Sequence, residues 1–513
     1  MLITTAINYT NGNPHIGHCY EAILTDFLAR YHRAFKSRVF FQTGTDEHGQ
    51  KIADRAAQQD MTPKGLCDHY AGKFQSLAES LQLSHDHFIR TTDNYHKKEV
   101  QRIFTLLLSQ GDIYLDTYEG WYNVREETFV TDLEARLSAY KDPASGVPLQ
   151  RISEPSYFFR LTKYIPSVLE HIETNPQFIV PDSRRHEIIK RLRKHLEAVD
   201  GDSMRDLSIS RTTFSWGIPV PDDPEHCLYV WMDALFNYYT GPAYVLGRDD
   251  AECSFSTDTI HVIGKDILWF HAVIWPALLL AFNKPLPATI WTHDFVTDAD
   301  GRKMSKSLGN VVEPTSMIER HGIDAVRFYL LKETTQGIDL RFNEDSLVQA
   351  KKTELAAKLG NLVNRILNIA KRYGDSTVPD VNAVRPIFDA DILVDAIHVA
   401  LQNYQISRIV EMVRDAIRAV NQDIVQTEIW KLPFDATEEK DGLVRSYLEA
   451  LVIIAKLWAP INPEVADRIF NALGRGSTSA PKNEDLVYLD KELFWRDLEP
   501  GTQIQGKLIL FPL

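Results

Sequence analysis

Short runs of apolar, β-branched and aromatic residues recur along this chain, and most are closed by a turn and followed by a helical pattern. Leu2 to Ile7 is the first, Arg38 to Gln42 the next, and Thr259 to Ile263 repeats the arrangement, while Thr289 to Val296 is a further strand run followed by a loop. Strands alternating with helices predict an α/β fold around a parallel sheet, with ligands gathered beyond the C-terminal strand ends. After about residue 350 the strand runs stop. Leu362, Val363, Ile366, Leu367 and Ala370 then follow helical spacing up to Gly374, and further helical patterns cover 390–402, 404–422 and 443–457. These predict an all-helical C-terminal domain, a bundle.

The residues that carry chemistry sit just past the strand runs. Pro14-His15-Ile16-Gly17-His18 follows the first strand, and a helix follows His18 with Ile23, Leu24, Phe27, Leu28 and Tyr31 on one face. A strand, a glycine turn and a helix start present backbone N–H groups and a positive dipole end to an anion. Two histidines three apart can both reach a bound triphosphate, and Gly17 leaves room for a flat base. Alone, such a pair is more often a surface or satisfied core pair; no third ligand makes it a metal site. Thr43 to Gly49 ends the next strand, where Asp46 is either a helix N-cap or a carboxylate for a substrate ammonium. Trp231, Tyr238 and Trp269 fit a core or a pocket for an apolar side chain equally well. Lys303-Met304-Ser305-Lys306-Ser307, preceded by Asp300-Gly301-Arg302, reads as a cationic loop.

Between about 111 and 225 the alternation breaks. Ile113–Leu115 and Trp121–Val124 read as short strands around Glu119-Gly120, 141–146 as a loop, and Tyr157–Leu161 as a further ordered piece. This stretch is an insertion between the halves of a nucleotide fold. Arg184, Arg185, Lys190, Arg191, Arg193 and Lys194 cluster on one helix, as a solvated face or as a nucleic-acid backbone contact.

At 513 residues the chain exceeds one core, and two to four domains are expected. No apolar run approaches a membrane span of roughly 20 residues. The N-terminus enters a strand at once, so a targeting segment is expected to be absent or removed. A net charge of −14 argues against indiscriminate nucleic-acid binding but leaves room for a local basic face. Cys19, Cys67, Cys227 and Cys253 are scattered without a CxxC, which points to reduced thiols and no thiolate zinc site.

Taken together and in this order, the Pro14–His18 (HIGH) and Lys303–Ser307 (KMSKS) stretches resemble the paired signature of class I aminoacyl-tRNA synthetases. Ala6 to Tyr9, Thr43 to Gly49, Leu207 to Arg211, Tyr229 to Tyr238, Gly264 to His271, Leu359 to Asn361 with Arg365, and Leu510 to Leu513 narrow it to the methionine-specific family. The resemblance implies a Rossmann-type catalytic domain in two halves, 1–110 and 226–300, around a connective insertion at 111–225. A KMSKS loop and stem-contact region at 301–350 and an all-α anticodon-binding bundle at 351–513 complete it. The implied reaction joins L-methionine to tRNA(Met) through methionyl-adenylate, using ATP with Mg²⁺ and no covalent enzyme intermediate.

By the same resemblance His15, His18, Lys303 and Lys306 are catalytic, and His15, Gly17, His18, Gly264, Asp266 and Lys306 bind ATP. Asp46 takes the methionine ammonium, and Ala6, Ile7, Tyr9, Trp231, Ala234, Leu235, Tyr238, Ile267 and His271 form the methionine pocket. Asn361, Arg365 and Trp430 read the CAU anticodon; Trp430 could otherwise be a half-buried bundle residue. The chain departs from many relatives in two places. The insertion has no Cys pairs, so no zinc is expected, and Asp294 stands where glycine usually precedes the lysine loop. The insertion is too short for the editing domain of the leucine, isoleucine and valine enzymes. The cysteine enzyme's zinc ligands are absent, and small nucleotidyltransferases lack the helical domain. A monomer in the cytoplasm is expected, with an organelle matrix as the alternative.

Overall fold

Seven parallel strands make the main sheet: β1 (Leu2–Thr4), β2 (Asn8–Tyr9), β3 (Phe40–Asp46), β4 (His87–Arg90), β5 (Ile179–Val180), β6 (Ile260–Gly264) and β7 (Thr289–His293). β3 lies between β4 on one side and β1 and β2 on the other, and β1 continues through β6 and β7 to β5. β1, β3, β5, β6 and β7 are wholly buried, as their apolar and β-branched composition demands, while β2 and most of β4 are half-buried. The connection from β1 leads to one side and β6 lies on the other. The gap beyond the ends of β1 and β6 is therefore the switch point where open α/β sheets hold ligands.

The computed structural model describes all residues except 124–127, 131, 143–145, 198–203, 248–257, 305–308, 382–383, 476–487, 490, 492–493 and 512–513. The chain forms two compact units, one from 1–14, 40–76 and 85–293 and the other from 15–39, 77–84 and 294–513. The first holds the main sheet, a four-stranded antiparallel sheet and a three-stranded antiparallel sheet.

Several expected boundaries move. β3 runs on through Thr43-Gly44-Thr45-Asp46, where the strand was expected to end and the next helix to begin. Gly44 is needed because the strands are close: a Cβ there would lie 2.1 Å from the Ile89 carbonyl oxygen. The next helix starts only at Gln50 with Gly49 as its N-cap, so Asp46 caps nothing. Ile113–Asn123 is one strand rather than two. It pairs antiparallel with Gln150–Phe159, and Gly120 sits in register opposite Ile152 instead of making a turn.

In the second unit the first helix begins at Ile16, not after His18, and runs to Ala34. Its Asp26 is fully buried against Arg327, 2.7 Å away and also fully buried. Burial alone would raise this carboxyl, but Arg30 and Arg327 outweigh it and hold Asp26 below its usual range. Arg327 also donates to the carbonyls of Leu81, Pro460 and Ile461, so no donor pair is left idle at its core. The C-terminal helices are Asn361–Tyr373, Ala390–Gln402, Ile406–Thr427, Thr437–Trp458 and Pro463–Ala472; two of them extend beyond the expected limits. From Leu443 to Trp458 every residue is buried, which makes that helix the axis of the bundle. The chain's closing segment packs back at Gly360, where a Cβ would lie 3.4 Å from Phe511.

Candidate active site

In the first unit the sheet sets out the pocket residues. Ala6 leaves β1 and its N–H donates to the Val262 carbonyl of β6, so the ends of the two switch-point strands stay in step. Gly264 closes β6, and a Cβ there would lie 2.6 Å from Asp266 Oδ1. The exposed Asp266 carboxylate thus folds over a bare backbone. Asp46 closes β3 in register with Tyr9, and it is 2 % exposed.

The neighbouring Glu47 is fully buried and heavily bonded. Arg90 donates Nε to Oε1 at 2.6 Å and Nη2 to Oε2 at 3.0 Å, and the hydroxyls of Thr45 and Thr92 add to the same carboxylate. One residue further, His48 Nδ1 meets Asp233 Oδ2 at 3.0 Å, both side chains being buried. Asp233 belongs to the Val230–Leu235 helix, which also carries Trp231, Ala234 and Leu235. The end of β3 and that helix are therefore clamped to each other.

Trp231 stacks flat on Phe270, centroids 3.8 Å apart and planes 9° apart. Tyr238 is buried and its hydroxyl lies 2.7 Å from His271 Nε2, while His271 Nδ1 lies 3.0 Å from the Ile267 carbonyl. A carbonyl only accepts, so Nδ1 carries the proton and Nε2 accepts from Tyr238. Burial pushes His271 down to about 4, so the ring is neutral near pH 7. Trp231, Tyr238, Ile267 and His271 thus form one apolar cluster with a neutral polar edge. Ala6 and Ile267 also pack against the core cluster that contains Leu235 and Tyr238. Ile7 and Tyr9 are half-buried on the segment after β1.

In the second unit His15 is the N-cap of the Ile16–Ala34 helix. Its Nδ1 accepts from the Gly17 N–H at 3.1 Å, and His18 Nδ1 accepts from the His15 N–H at 3.1 Å. The rings stack with centroids 3.7 Å apart. Two backbone donors fix both Nδ1 atoms as acceptors, so each neutral ring carries its proton on Nε2. Burial first, and His15 second, hold His18 well below the usual histidine range. The result is a pair of Nε2–H donors at a positive helix end. Gly17 is required by this arrangement, because a Cβ there would lie 3.0 Å from His15 Cε1. The helix start is also pinned by Ile16 N–H to the Val312 carbonyl at 3.1 Å.

Lys303 is exposed, with Nζ 4.9 Å from the Phe295 ring centroid. Lys306 lies outside the described residues. The feet of the lysine stretch are tied by Asp298, which accepts from Asn310 Nδ2 at 2.9 Å and from the Arg302 N–H at 2.8 Å. The Asn310 amide and that N–H hold its carboxyl down at about 2. Asp294 is buried.

In the helical part Asn361 is exposed and its amide donates to the Ala357 carbonyl. Arg365 is half-buried and donates to Asn421 Oδ1 at 3.2 Å. Trp430, on a short turn after the Ile406–Thr427 helix, is 47 % exposed.

Half of the six cations on the basic helix Asp182–Glu197 are ion-paired: Arg184 pairs with Glu187, Arg185 with Asp182 and Arg193 with Glu173, and Arg191 lies 3.8 Å over Trp269. That favours the solvated-face reading. Among the described residues no group of three His, Cys, Asp or Glu could hold a metal ion. Sequence reasoning missed Glu47–Arg90, His48–Asp233, Asp298–Asn310 and Arg365–Asn421. Their partners lie far apart in the chain, and the only local signal was the acidic-histidine run Asp46-Glu47-His48 itself.

A family model described as tRNA synthetases class I (M) matches residues 1–139 and 138–367. The chain is 38 % identical to a methionine–tRNA ligase of Halalkalibacterium halodurans over 98 % of its own length and 76 % of the relative's. It is also 38 % identical to a methionine–tRNA ligase of Rickettsia prowazekii, over 99 % of this chain and 98 % of that one. Among solved structures, Mycobacterium tuberculosis methionyl-tRNA synthetase bound by methionyl-adenylate superposes with a TM-score of 0.87 at 34 % identity, covering 100 % of this chain and 99 % of that chain. The same enzyme's apo form gives 0.82 at 32 % identity.

Proposed function

The chain belongs to the methionine–tRNA ligases of the class I tRNA synthetase family, and we propose how its residues divide the reaction of that family. It activates L-methionine with ATP to methionyl-adenylate and transfers the methionyl group to the 3′ end of tRNA(Met). In the first step the methionine carboxylate attacks the α-phosphorus and pyrophosphate leaves. In the second the terminal ribose hydroxyl attacks the anhydride carbonyl and AMP leaves. No bond to the protein forms, so the side chains act by position and charge.

The observation that carries the assignment of roles is the pair of histidines whose Nδ1 atoms accept from the helix start. His15 and His18 then present Nε2–H donors to the phosphates, as charge moves toward the leaving pyrophosphate. Lys303 and Lys306 add cations there. Gly17, Gly264 and Asp266 take the nucleoside. Asp46 takes the ammonium, and Ala6, Ile7, Tyr9, Trp231, Ala234, Leu235, Tyr238, Ile267 and His271 take the side chain. Sulfur against aromatic rings gains about 0.3–1.5 kcal/mol, whereas one methylene discriminates by only about 1–3 kcal/mol, so homocysteine is the competitor this pocket must reject. Asn361, Arg365 and Trp430 read the anticodon by edge contact and stacking.

In this proposal 1–110 and 226–300 are the catalytic halves, 111–225 the connective insertion, 301–350 the KMSKS and stem-contact region, and 351–513 the anticodon-binding part. Mg²⁺ enters on the triphosphate oxygens, its preferred hard ligands, and no zinc takes part. The enzyme acts as a monomer in the cytoplasm, with an organelle matrix as the alternative site. No helix among the described residues is long and apolar enough to cross a membrane. The test is ATP–pyrophosphate exchange with each of the twenty amino acids and no tRNA. Exchange with methionine alone is expected; exchange with a different amino acid, or with none, overturns the proposal.

A further inference from the structure

Among the described residues no large apolar side chain is as exposed as Phe434, at 99 %. It stands in the connection between the helices Ile406–Thr427 and Thr437–Trp458, four residues after Trp430. That connection is ordered by its own bonds. Glu428 turns the chain through a left-handed conformation at φ 47°, and the Lys431 N–H closes back on the Glu428 carbonyl at 2.7 Å. The Ala436 N–H donates to the Pro433 carbonyl at 3.2 Å. Lys440 reaches back to donate Nζ to the carbonyls of Pro433 at 2.6 Å and Phe434 at 3.3 Å. A bonded backbone thus holds a phenyl ring out in water, where folding gains nothing from it. An aromatic ring displayed on a preorganised loop binds a flat partner at little entropic cost.

We propose that Phe434 is a second stacking platform, beside Trp430, for a splayed base of the tRNA anticodon loop. The inference rests on the reading that Trp430 and Arg365 face that loop. Three observations choose this occupant. The substrate of the enzyme is an RNA whose loop bases can be unstacked, and stacking needs only a π-face. Arg365 is held by Asn421, which lies six residues before the end of the Ile406–Thr427 helix, so the edge-reading guanidinium and both exposed rings belong to the same end of that helix. The charges close to Phe434 are mixed: Lys440 Nζ lies 5.9 Å from the ring centroid, whereas Asp435, Glu438 and Glu439 follow it in sequence. Carboxylates repel a phosphate but not the face of a base, so the ring meets a base rather than the backbone.

The experiment measures charging of full-length tRNA(Met), charging of an acceptor minihelix without the anticodon arm, and tRNA-free pyrophosphate exchange. The variants are Phe434→Ala, Phe434→Trp and Trp430→Ala. Loss of one base–aromatic stack lowers binding roughly 5- to 150-fold, and about tenfold in kcat/KM for full-length tRNA is expected for Phe434→Ala. Minihelix charging, exchange and thermal stability should not change, because the ring is not packed. Phe434→Trp should restore charging, and the dependence of log KM on log salt should keep its slope, since no phosphate contact is lost. Wild-type charging by Phe434→Ala with a loss in Trp430→Ala overturns the role of Phe434 and leaves the anticodon reading standing. Wild-type charging by both overturns that reading as well. An equal loss on the minihelix also overturns the proposal, because the effect would then lie elsewhere than the anticodon loop.

Discussion

Gly17→Ala should separate catalysis from stability. Gly17 is the second residue of the Ile16–Ala34 helix, and a Cβ there would lie 3.0 Å from Cε1 and 3.1 Å from Nδ1 of His15. Ordinary contact begins near 3.4 Å, so the ring must retreat by roughly 0.3–0.4 Å or swing off its cap. Alanine gains up to about 1 kcal/mol over glycine in a helix, while a lost N-cap bond costs about 0.5–2 kcal/mol. The two nearly cancel, and unfolding stability should move by less than about 1 kcal/mol. Catalysis has no such offset. Removing one donor to a developing anion costs about 2.7–4 kcal/mol when the group is fully withdrawn, so a partial displacement of His15 should lower the rate of adenylate formation about 10- to 100-fold. The added methyl also lifts adenine, so KM for ATP should rise while methionine affinity stays within about twofold. Single-turnover adenylate formation, together with urea unfolding, checks both halves. Wild-type adenylate formation in a normally folded Gly17→Ala protein would refute the stacked-histidine geometry as the source of catalysis.

Asp46→Asn should reduce kcat/KM for methionine between about 100- and 900-fold, the loss of one buried charged contact, and leave KM for ATP nearly unchanged; exchange kinetics with each substrate varied decide it. His271 titrates near 4 when folded and near 6.5 when unfolded, so the unfolded chain takes the proton first. Its contribution to stability is complete above pH 6.5 and fades as pH falls toward 4, by up to about 3 kcal/mol, and His271→Gln should show a shallower loss over that window in denaturant titrations. Arg327→Met should cost about 3 kcal/mol in urea unfolding, because it strips a guanidinium from buried Asp26 and three carbonyls, with Arg30 left as the carboxylate's partner.

Element type was legible wherever the periodicity was long. The helices at 361–373 and 390–402 and the strand ending in Gly264 lie where apolar spacing puts them, whereas the run read as one strand over Thr289–Val296 is two, Thr289–His293 in the main sheet and Val296–Thr297 paired with Leu340–Arg341. Boundaries failed where glycine was taken as punctuation. Gly44 and Gly120 both look like strand ends in sequence, yet each lies inside a strand. For Gly44 the reason is the approach of Ile89, a contact made 45 residues away. A glycine that admits a neighbouring backbone and a glycine that turns the chain are the same letter, and only the tertiary neighbour separates them.

The same limit governs the site. Asp46 and Glu47 are adjacent carboxylates, and on a strand end successive side chains point to opposite faces. Nothing local says which of them is available to a substrate ammonium. Glu47 has both oxygens committed to the forked guanidinium of Arg90, 43 residues on, and to the hydroxyls of Thr45 and Thr92. An incoming ammonium would have to displace a bidentate, buried pair, which is far costlier than the single contact it would gain. Glu47 is therefore a strut that fixes the end of β3, and His48, clamped to Asp233 on the helix of Trp231, is its continuation. The proposed role toward the substrate ammonium therefore rests with Asp46 rather than Glu47. The motif offered Asp46 as the candidate, and partners 43 and 185 positions away along the chain make its neighbours Glu47 and His48 supports of that proposed binding group.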